Sequence, residues 1–142
     1  MLPPPTVLNA IAAGGRAVYV APSGGRDRAN ADGLVEVAAF DPQSIEMFYL
    51  MASRAGTPTH FYPMALGTYA FLPPPETVQA ELGEARRIKR TGIHLAVGAE
   101  LDMETFPGSD GDDRHERRAA RARHIWTEVC RDYARFPRPT RG

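Results

Sequence analysis

The sequence has a single cysteine, no long apolar run and no excess of charge of either sign. One thiol, Cys130, cannot form a disulfide within the chain, which excludes a disulfide scaffold and is compatible with a reducing compartment. No stretch approaches the roughly 20 apolar residues that a membrane-spanning helix requires, so we expect no transmembrane segment. The formal net charge of +0 at pH 7 gives no indication of a nucleic-acid partner, and we expect none.

The first half of the chain is also poor in basic residues, with only 4 of the 17 Lys and Arg side chains in residues 1–71. Residues 1–5, Met-Leu-Pro-Pro-Pro, lack the basic and apolar order of a secretory signal. They also lack the arginine and serine content of a transit peptide, so no targeting signal is predicted. With 142 residues, 43% of them hydrophobic, the chain is typical of one globular domain over 1–142.

The most informative stretch is an apolar run at 17–21 that is followed by a turn. β-Branched and aromatic residues without charge predict a strand buried on both faces, as in a parallel sheet. Pro22 cannot donate a ladder hydrogen bond, so the strand is expected to end there. The next residues, Ser23, Gly24 and Gly25, allow turn conformations in which the backbone closely approaches a ligand.

Two arginines follow the glycines, and we predict that they form an anion-binding site. Arg26 and Arg28 are two positions apart, so in extended chain they project to the same side and can hold one anion between them. Their place at the carboxyl end of a predicted strand is where open α/β sheets bind ligands. The alternative is a surface turn in which these arginines pair with Asp27, Asp32 or Glu36.

The rest of the chain predicts helices alternating with strands. Asp41 followed by proline is typical of a helix start, and Gly56 of its end. The apolar runs 60–66 and 93–97 predict strands, and 112–136 predicts a long helix. Because strand, helix and strand follow in that order, we expect a right-handed parallel crossover. The predicted fold class is α/β, with a mixed, mainly parallel sheet flanked by helices.

Less clear patterns remain in the C-terminal half. Residues 77–90 fit a strand or a helix, and we favour the strand. Cys130 lies on the apolar face of the long helix, where a packing role is favoured over a nucleophile. The opposite face indicates either a site for nucleic acid or an acidic protein, or a solvated face neutralised by interleaved Asp and Glu. That second face carries Arg114, Arg117, Arg118, Arg121 and Arg131.

Several motifs, in order and spacing, resemble those of the soluble, plastid-type glycerol-3-phosphate acyltransferases. They are Ala-Pro-Ser-Gly-Gly-Arg-Asp-Arg at 21–28, Phe-Asp-Pro at 40–42, His-Phe-Tyr-Pro-Met-Ala-Leu at 60–66, Pro-Pro-Pro at 73–75, Gly-Glu at 83–84 and the strand at 93–101. The resemblance is strongest over 14–106 and implies the C-terminal part of one acyltransferase α/β domain.

The resemblance implies an enzyme that moves a fatty acyl group to the first hydroxyl of glycerol 3-phosphate. The donor is acyl carrier protein or a coenzyme A thioester, and no further cofactor or metal is implied. By position, Arg26 and Arg28 are the arginines that hold the substrate phosphate, with Ser23, Gly24 and Gly25 as the supporting loop. The implied localisation is the chloroplast stroma.

One family motif is missing from the sequence. These enzymes use a His followed five positions later by Asp, in which the His is the general base for the glycerol hydroxyl. The residues five positions after His60, His94, His115 and His124 are Ala, Ala, Ala and Val. We therefore expect no catalytic residue in the chain, which would be an inactive C-terminal portion of such an enzyme. The alternative is a non-catalytic module that binds a phosphorylated ligand or an acidic partner.

Overall fold

Three helices and two strands make up the computed structural model, which describes residues 4–24, 29–73 and 88–138. In chain order they are α1 (Pro4–Ala12), α2 (Pro42–Arg54), β1 (Met64–Gly67), β2 (His94–Val97) and α3 (Arg114–Tyr133). The predicted combination of helices and strands is confirmed. Most of the strand predicted at 77–90, residues 77–87, lies outside the described residues.

Local sequence signals explain where α2 begins and ends. The carboxylate of Asp41 accepts hydrogen bonds from the backbone amides of Gln43 (3.2 Å) and Ser44 (3.0 Å), which would otherwise lack helical partners. Pro42 occupies the first turn. After the helix, Gly56 has φ of 68°, a left-handed conformation that glycine adopts without strain. The predicted start and end of this helix are confirmed.

The core lies between α2 and α3. One buried cluster there consists of Ile45 of α2, Ala122 of α3 and Met103 from the segment that follows β2. The long helix predicted at 112–136 is confirmed, with Asp113 as its N-cap. Trp126 of α3 donates its indole N–H to the carbonyl of Val37 (3.1 Å), which fixes the segment before α2 against α3. None of the helices in the described ranges is long and apolar enough to cross a bilayer.

The sheet differs in part from the prediction. β1 and β2 pair antiparallel, with Ala65 opposite Ala96 and Leu66 opposite Leu95. The prediction of mainly parallel strands is not confirmed, because this is the single sheet among the described residues. β1 begins after Pro63 because proline has no N–H to donate to a ladder. At the same end, a Cβ on Gly98 would lie 2.8 Å from Pro63 Cγ, so close packing requires glycine there.

The buried strand predicted at 17–21 is not formed. This segment has no strand assignment, and Val18 and Tyr19 are 42% and 63% exposed. A β-branched, aromatic run favours extended backbone, but a strand also requires a neighbour to pair with, and no described segment pairs with this one. The predicted parallel crossover to 60–66 is consequently not observed in the described ranges.

A largely buried ion pair joins α2 to α3 and corrects the predicted arginine face. Arg121 is 9% exposed, donates from Nη1 to Glu46 Oε2 and donates from Nε to the carbonyl of Met103 (3.1 Å). Its guanidinium lies 4.0 Å from the ring centroid of Tyr49. Arg118 Nε is 3.4 Å from the other oxygen of Glu46. These two arginines face α2 rather than solvent because Glu46 provides the opposite charge.

We expect Arg121→Ala to destabilise the chain by about 3 kcal/mol, because it leaves the Glu46 carboxylate largely buried with a single, longer contact. Equilibrium urea unfolding at pH 7 measures the change. The matched control is Arg131→Ala, which breaks an exposed pair with Glu128 (2.5 Å) and should cost less than about 0.5 kcal/mol. Equal costs for the two variants would contradict the structural role of Arg121.

Acid should weaken α2 through its cap. The Ser44 hydroxyl and the amides of Gln43 and Ser44 donate to Asp41 and lower the pKa of Asp41 below its ordinary value. Stability from this carboxylate is present above the ordinary pKa near 3.8 and is lost as the pH falls through the lower, folded value. Thermal melts from pH 5 to pH 2 should show a smaller loss for Asp41→Asn than for the parent. An identical loss would exclude this contribution.

Candidate functional site

The loop predicted to bind an anion starts in a tight turn. The backbone N–H of Gly24 donates to the carbonyl of Ala21 (3.1 Å), and Gly24 has φ of 69°. An ideal Cβ at Gly24 would meet no atom within 4 Å, so glycine is favoured there by conformation rather than by space. Ser23 is half-buried beside it. The predicted turn is present at these two positions.

The far end of the loop is also held by hydrogen bonds. Ala29 and Val35 form an antiparallel bridge, and the side chain of Asn30 accepts from the amides of Asp32 and Leu34 (both 3.0 Å). Such an Asx turn fixes the chain direction locally. Hydrogen bonds therefore hold the chain on each side of the loop, at Gly24 and at Ala29.

Gly25, Arg26 and Arg28 lie outside the described residues. The structure therefore places the base of the loop and does not test the arrangement of the two guanidinium groups. Binding of phosphate by Arg26 and Arg28 stays a prediction.

A backbone hydrogen bond ties the loop to α2. The amide of Asp41 donates to the carbonyl of Pro22 (3.1 Å), which places the turn next to the N-terminus of this helix. Helix N-termini often bind phosphate through free amides. Here the Asp41 carboxylate already accepts from the amides of Gln43 and Ser44 and brings a negative charge. A phosphate at this loop would therefore depend on guanidinium groups rather than on the end of α2.

An acidic groove, which the sequence patterns did not indicate as a site, lies between the end of α2 and the segment after β2. It has a volume of about 790 Å³. Tyr49 donates its hydroxyl hydrogen to Glu104, and this hydrogen bond raises the pKa of Tyr49. The lining carboxylates, Glu100, Asp102 and Glu104, alternate along the chain, and that spacing was the available signal. Such a lining disfavours a phosphate ligand.

In the part of the chain that the structure describes, Cys130, His60 and His94 do not form a nucleophile and base pair. Burial raises the pKa of the Cys130 thiol, with a smaller contribution from Glu36, so the reactive thiolate is disfavoured. His60 Nδ1 lies 2.6 Å from Glu100, and both side chains are more than half exposed. His94 packs against Phe136 at a centroid distance of 5.5 Å between the two rings.

Comparison with known proteins gives a consistent family relationship. The chain matches no protein-family profile. It is 33% identical over 121 residues to a chloroplastic glycerol-3-phosphate acyltransferase of Arabidopsis thaliana, a match that covers 84% of this chain and 26% of the relative. Chloroplastic relatives from Spinacia oleracea and Phaseolus vulgaris are 37% and 39% identical over 90 and 91 residues. Those two matches cover 63% of this chain and 19% and 20% of the relatives.

These matches confirm the resemblance to the plastid-type glycerol-3-phosphate acyltransferases. The chain is similar over most of its length to a segment of these enzymes, and the relatives are labelled chloroplastic. The matched segment spans about a quarter of the length of the longer-matching relatives.

The turn that starts the loop should be sensitive to side chains at Gly24. Gly24→Val forces a β-branched residue into positive φ, so we expect a loss of about 1–2 kcal/mol in urea unfolding. Gly15→Val is the matched control, since Gly15 has φ of 62° with nothing within 4 Å of its Cβ and lies outside the loop. We expect similar losses for both, with altered amide chemical shifts at Ser23 and Ala29 only for Gly24→Val. Unchanged shifts at these residues would contradict the turn.

Proposed function

We propose that this chain is the glycerol-3-phosphate-binding segment of a glycerol-3-phosphate 1-O-acyltransferase, the C-terminal part of its catalytic domain. The reaction is transfer of a fatty acyl group from acyl carrier protein or coenzyme A to glycerol 3-phosphate, in the chloroplast stroma. The observation that carries the proposal is the 33% identity to a chloroplastic enzyme of this name over 84% of the chain. The mainly parallel sheet that the resemblance implies is part of the same proposal.

The role proposed for this segment is to hold and orient the phosphate. Arg26 and Arg28 would each direct a fork of N–H donors at the phosphate oxygens, which fixes the substrate more firmly than a point charge does. The turn at Ser23 and Gly24 supports the loop on one side, and the bridge at Ala29 on the other. A substrate held by its phosphate presents its first hydroxyl at a fixed depth, which lowers the entropic barrier to acyl transfer.

We propose that the proton of that hydroxyl goes to a base outside these 142 residues. None of the four histidines precedes an Asp at the family's spacing, and the described His60 pairs with Glu100 on an exposed surface. Acyl transfer is thus proposed for a whole enzyme that contains this segment.

The second candidate is a non-catalytic module that binds a phosphorylated ligand, and the missing His and Asp motif favours it. Both candidates use the same arginine loop and differ in whether acyl transfer accompanies binding. The idea of an arginine face on α3 for nucleic acid or acyl carrier protein is weaker, because Arg118 and Arg121 pair with Glu46, and Arg131 pairs with Glu128.

Calorimetric titration of glycerol 3-phosphate into the full chain tests the loop. We expect the parent to bind glycerol 3-phosphate. The affinity should fall about tenfold for each arginine replaced by alanine, in Arg26→Ala and in Arg28→Ala, because a hydrogen bond to a charged group contributes about 1.5–3 kcal/mol. The Arg26→Lys, Arg28→Lys variant should fall between, since lysine keeps charge without the fork. Glycerol alone should not bind, whereas inorganic phosphate should compete.

The matched control replaces two exposed arginines that lie on α3, Arg114 and Arg117, with alanine. It removes the same net charge and should bind like the parent. If the variant that combines Arg26→Ala with Arg28→Ala binds glycerol 3-phosphate as tightly as this control does, the arginine loop is not the phosphate site.

A further inference from the structure

The two faces of the β1–β2 sheet have different surroundings. On one face, Ala65 is 1% exposed, and α3 packs over the strands. The ring of Phe136, just after α3, lies against His94, and a Cβ on Gly67 would be 3.0 Å from it. Since opposite residues share a face, the pairs Ala65/Ala96 and Gly67/His94 form the face covered by α3.

The other face is apolar; its residues are half-buried on β1 and exposed on and just before β2. It carries the opposed pairs Leu66/Leu95 and Met64/Val97, and Ile93 continues the alternation along β2. Leu95 and Val97 are 60% and 59% exposed, and Ile93 is 52% exposed. We call this surface the apolar sheet face; its members are Met64, Leu66, Ile93, Leu95 and Val97. Alternating exposed apolar residues on one side of a sheet are typical of a face that packs against something.

The outer edges of the same sheet have no strand partner within the described ranges. Among these residues, β1 pairs only with β2. A two-stranded sheet is marginal alone, and unpaired edges bind further strands. A lipid or small apolar ligand would cover the side chains but leave the edge amides and carbonyls unpaired. A polypeptide satisfies both, through strand addition and apolar packing.

The comparisons with known proteins indicate which polypeptide would cover this face. The match covers 26% of the Arabidopsis relative, so about three-quarters of that enzyme lies outside the matched segment. We propose that the apolar sheet face is the docking surface for that remaining part of a plastid-type acyltransferase. The identity of the occupant rests on the proposed function, whereas the existence of the docking face rests on the exposure and pairing of β1 and β2.

Thiol labelling at position 95 tests the docking directly. Leu95→Cys is placed in the full chain, and the same variant is placed in a hybrid enzyme. In the hybrid, this chain replaces the matched segment of the Arabidopsis relative. Modification of the residue 95 peptide by a maleimide is followed by mass spectrometry. We expect at least tenfold slower labelling in the hybrid, because the occupant covers the side chain.

The control is Leu34→Cys, since Leu34 is 45% exposed in the turn after Asn30 and lies outside the apolar sheet face. It should label at similar rates in both proteins. Equal labelling of position 95 in chain and hybrid overturns the proposal. Slower labelling at position 95 in the isolated chain as its concentration rises would show that a second copy is the occupant, and also overturns it.

A second measurement decides the matter if the hybrid does not fold. The full chain, tagged, is co-expressed with the Arabidopsis relative from which the matched segment has been removed. We expect the two to copurify, and Leu95→Asp combined with Val97→Asp to reduce capture at least tenfold, while Leu34→Asp does not. No capture by the parent, or equal capture by the double variant, overturns the proposal.

These outcomes are separate from those of the proposed function. Labelling and capture require no acyl transfer and no glycerol 3-phosphate. A hybrid that protects position 95 but transfers no acyl group leaves the docking face intact and contradicts the function. If the chain binds glycerol 3-phosphate but position 95 labels equally in the chain and in the hybrid, phosphate binding is supported and the docking face is contradicted.

Discussion

The ion pair between Glu46 and Arg121 is the contact on which the described structure most depends. It joins the two long helices, and the same guanidinium donates to the Met103 carbonyl and lies over the ring of Tyr49. Two charges removed from water are tolerated only when their hydrogen bonds are satisfied by the surroundings. The pair therefore fixes α2, α3 and the segment after β2 in one arrangement. The arginine loop is connected to that arrangement through Pro22 and Asp41.

Local signals predicted the helices well. The Asp41-Pro42 start and the Gly56 end of α2 are capping features that act within one turn, so sequence alone reveals them. The strand at 17–21 was predicted wrongly, because its apolar run reports a preference for extended backbone but not the presence of a neighbour. The inward direction of Arg121 could not be predicted either. It requires Glu46, 75 positions away, to face the same space.

In the candidate site, too, local features could be predicted from the sequence and features that depend on tertiary packing could not. Turn residues at Ser23 and Gly24 were predicted from glycine chemistry, and the structure has the turn. The grouping of Tyr49 with Glu104 in the acidic groove depends on tertiary packing, although the alternation of carboxylates after β2 was visible in the sequence. The placement of Arg26 and Arg28 is still a prediction, supported by the family resemblance and by the hydrogen bonds on each side of the loop.

The proposed function requires that this chain hold the substrate phosphate of an acyltransferase and that other residues supply the base. Acyl transfer to glycerol 3-phosphate by the hybrid enzyme, in which this chain replaces the matched segment of the Arabidopsis relative, tests that claim most directly. We predict acyl transfer in the hybrid, and a raised KM for glycerol 3-phosphate with much weaker transfer when Arg26 and Arg28 are alanine. A folded hybrid without activity would contradict the proposed function. So would a hybrid whose KM for glycerol 3-phosphate is unchanged when both arginines are replaced.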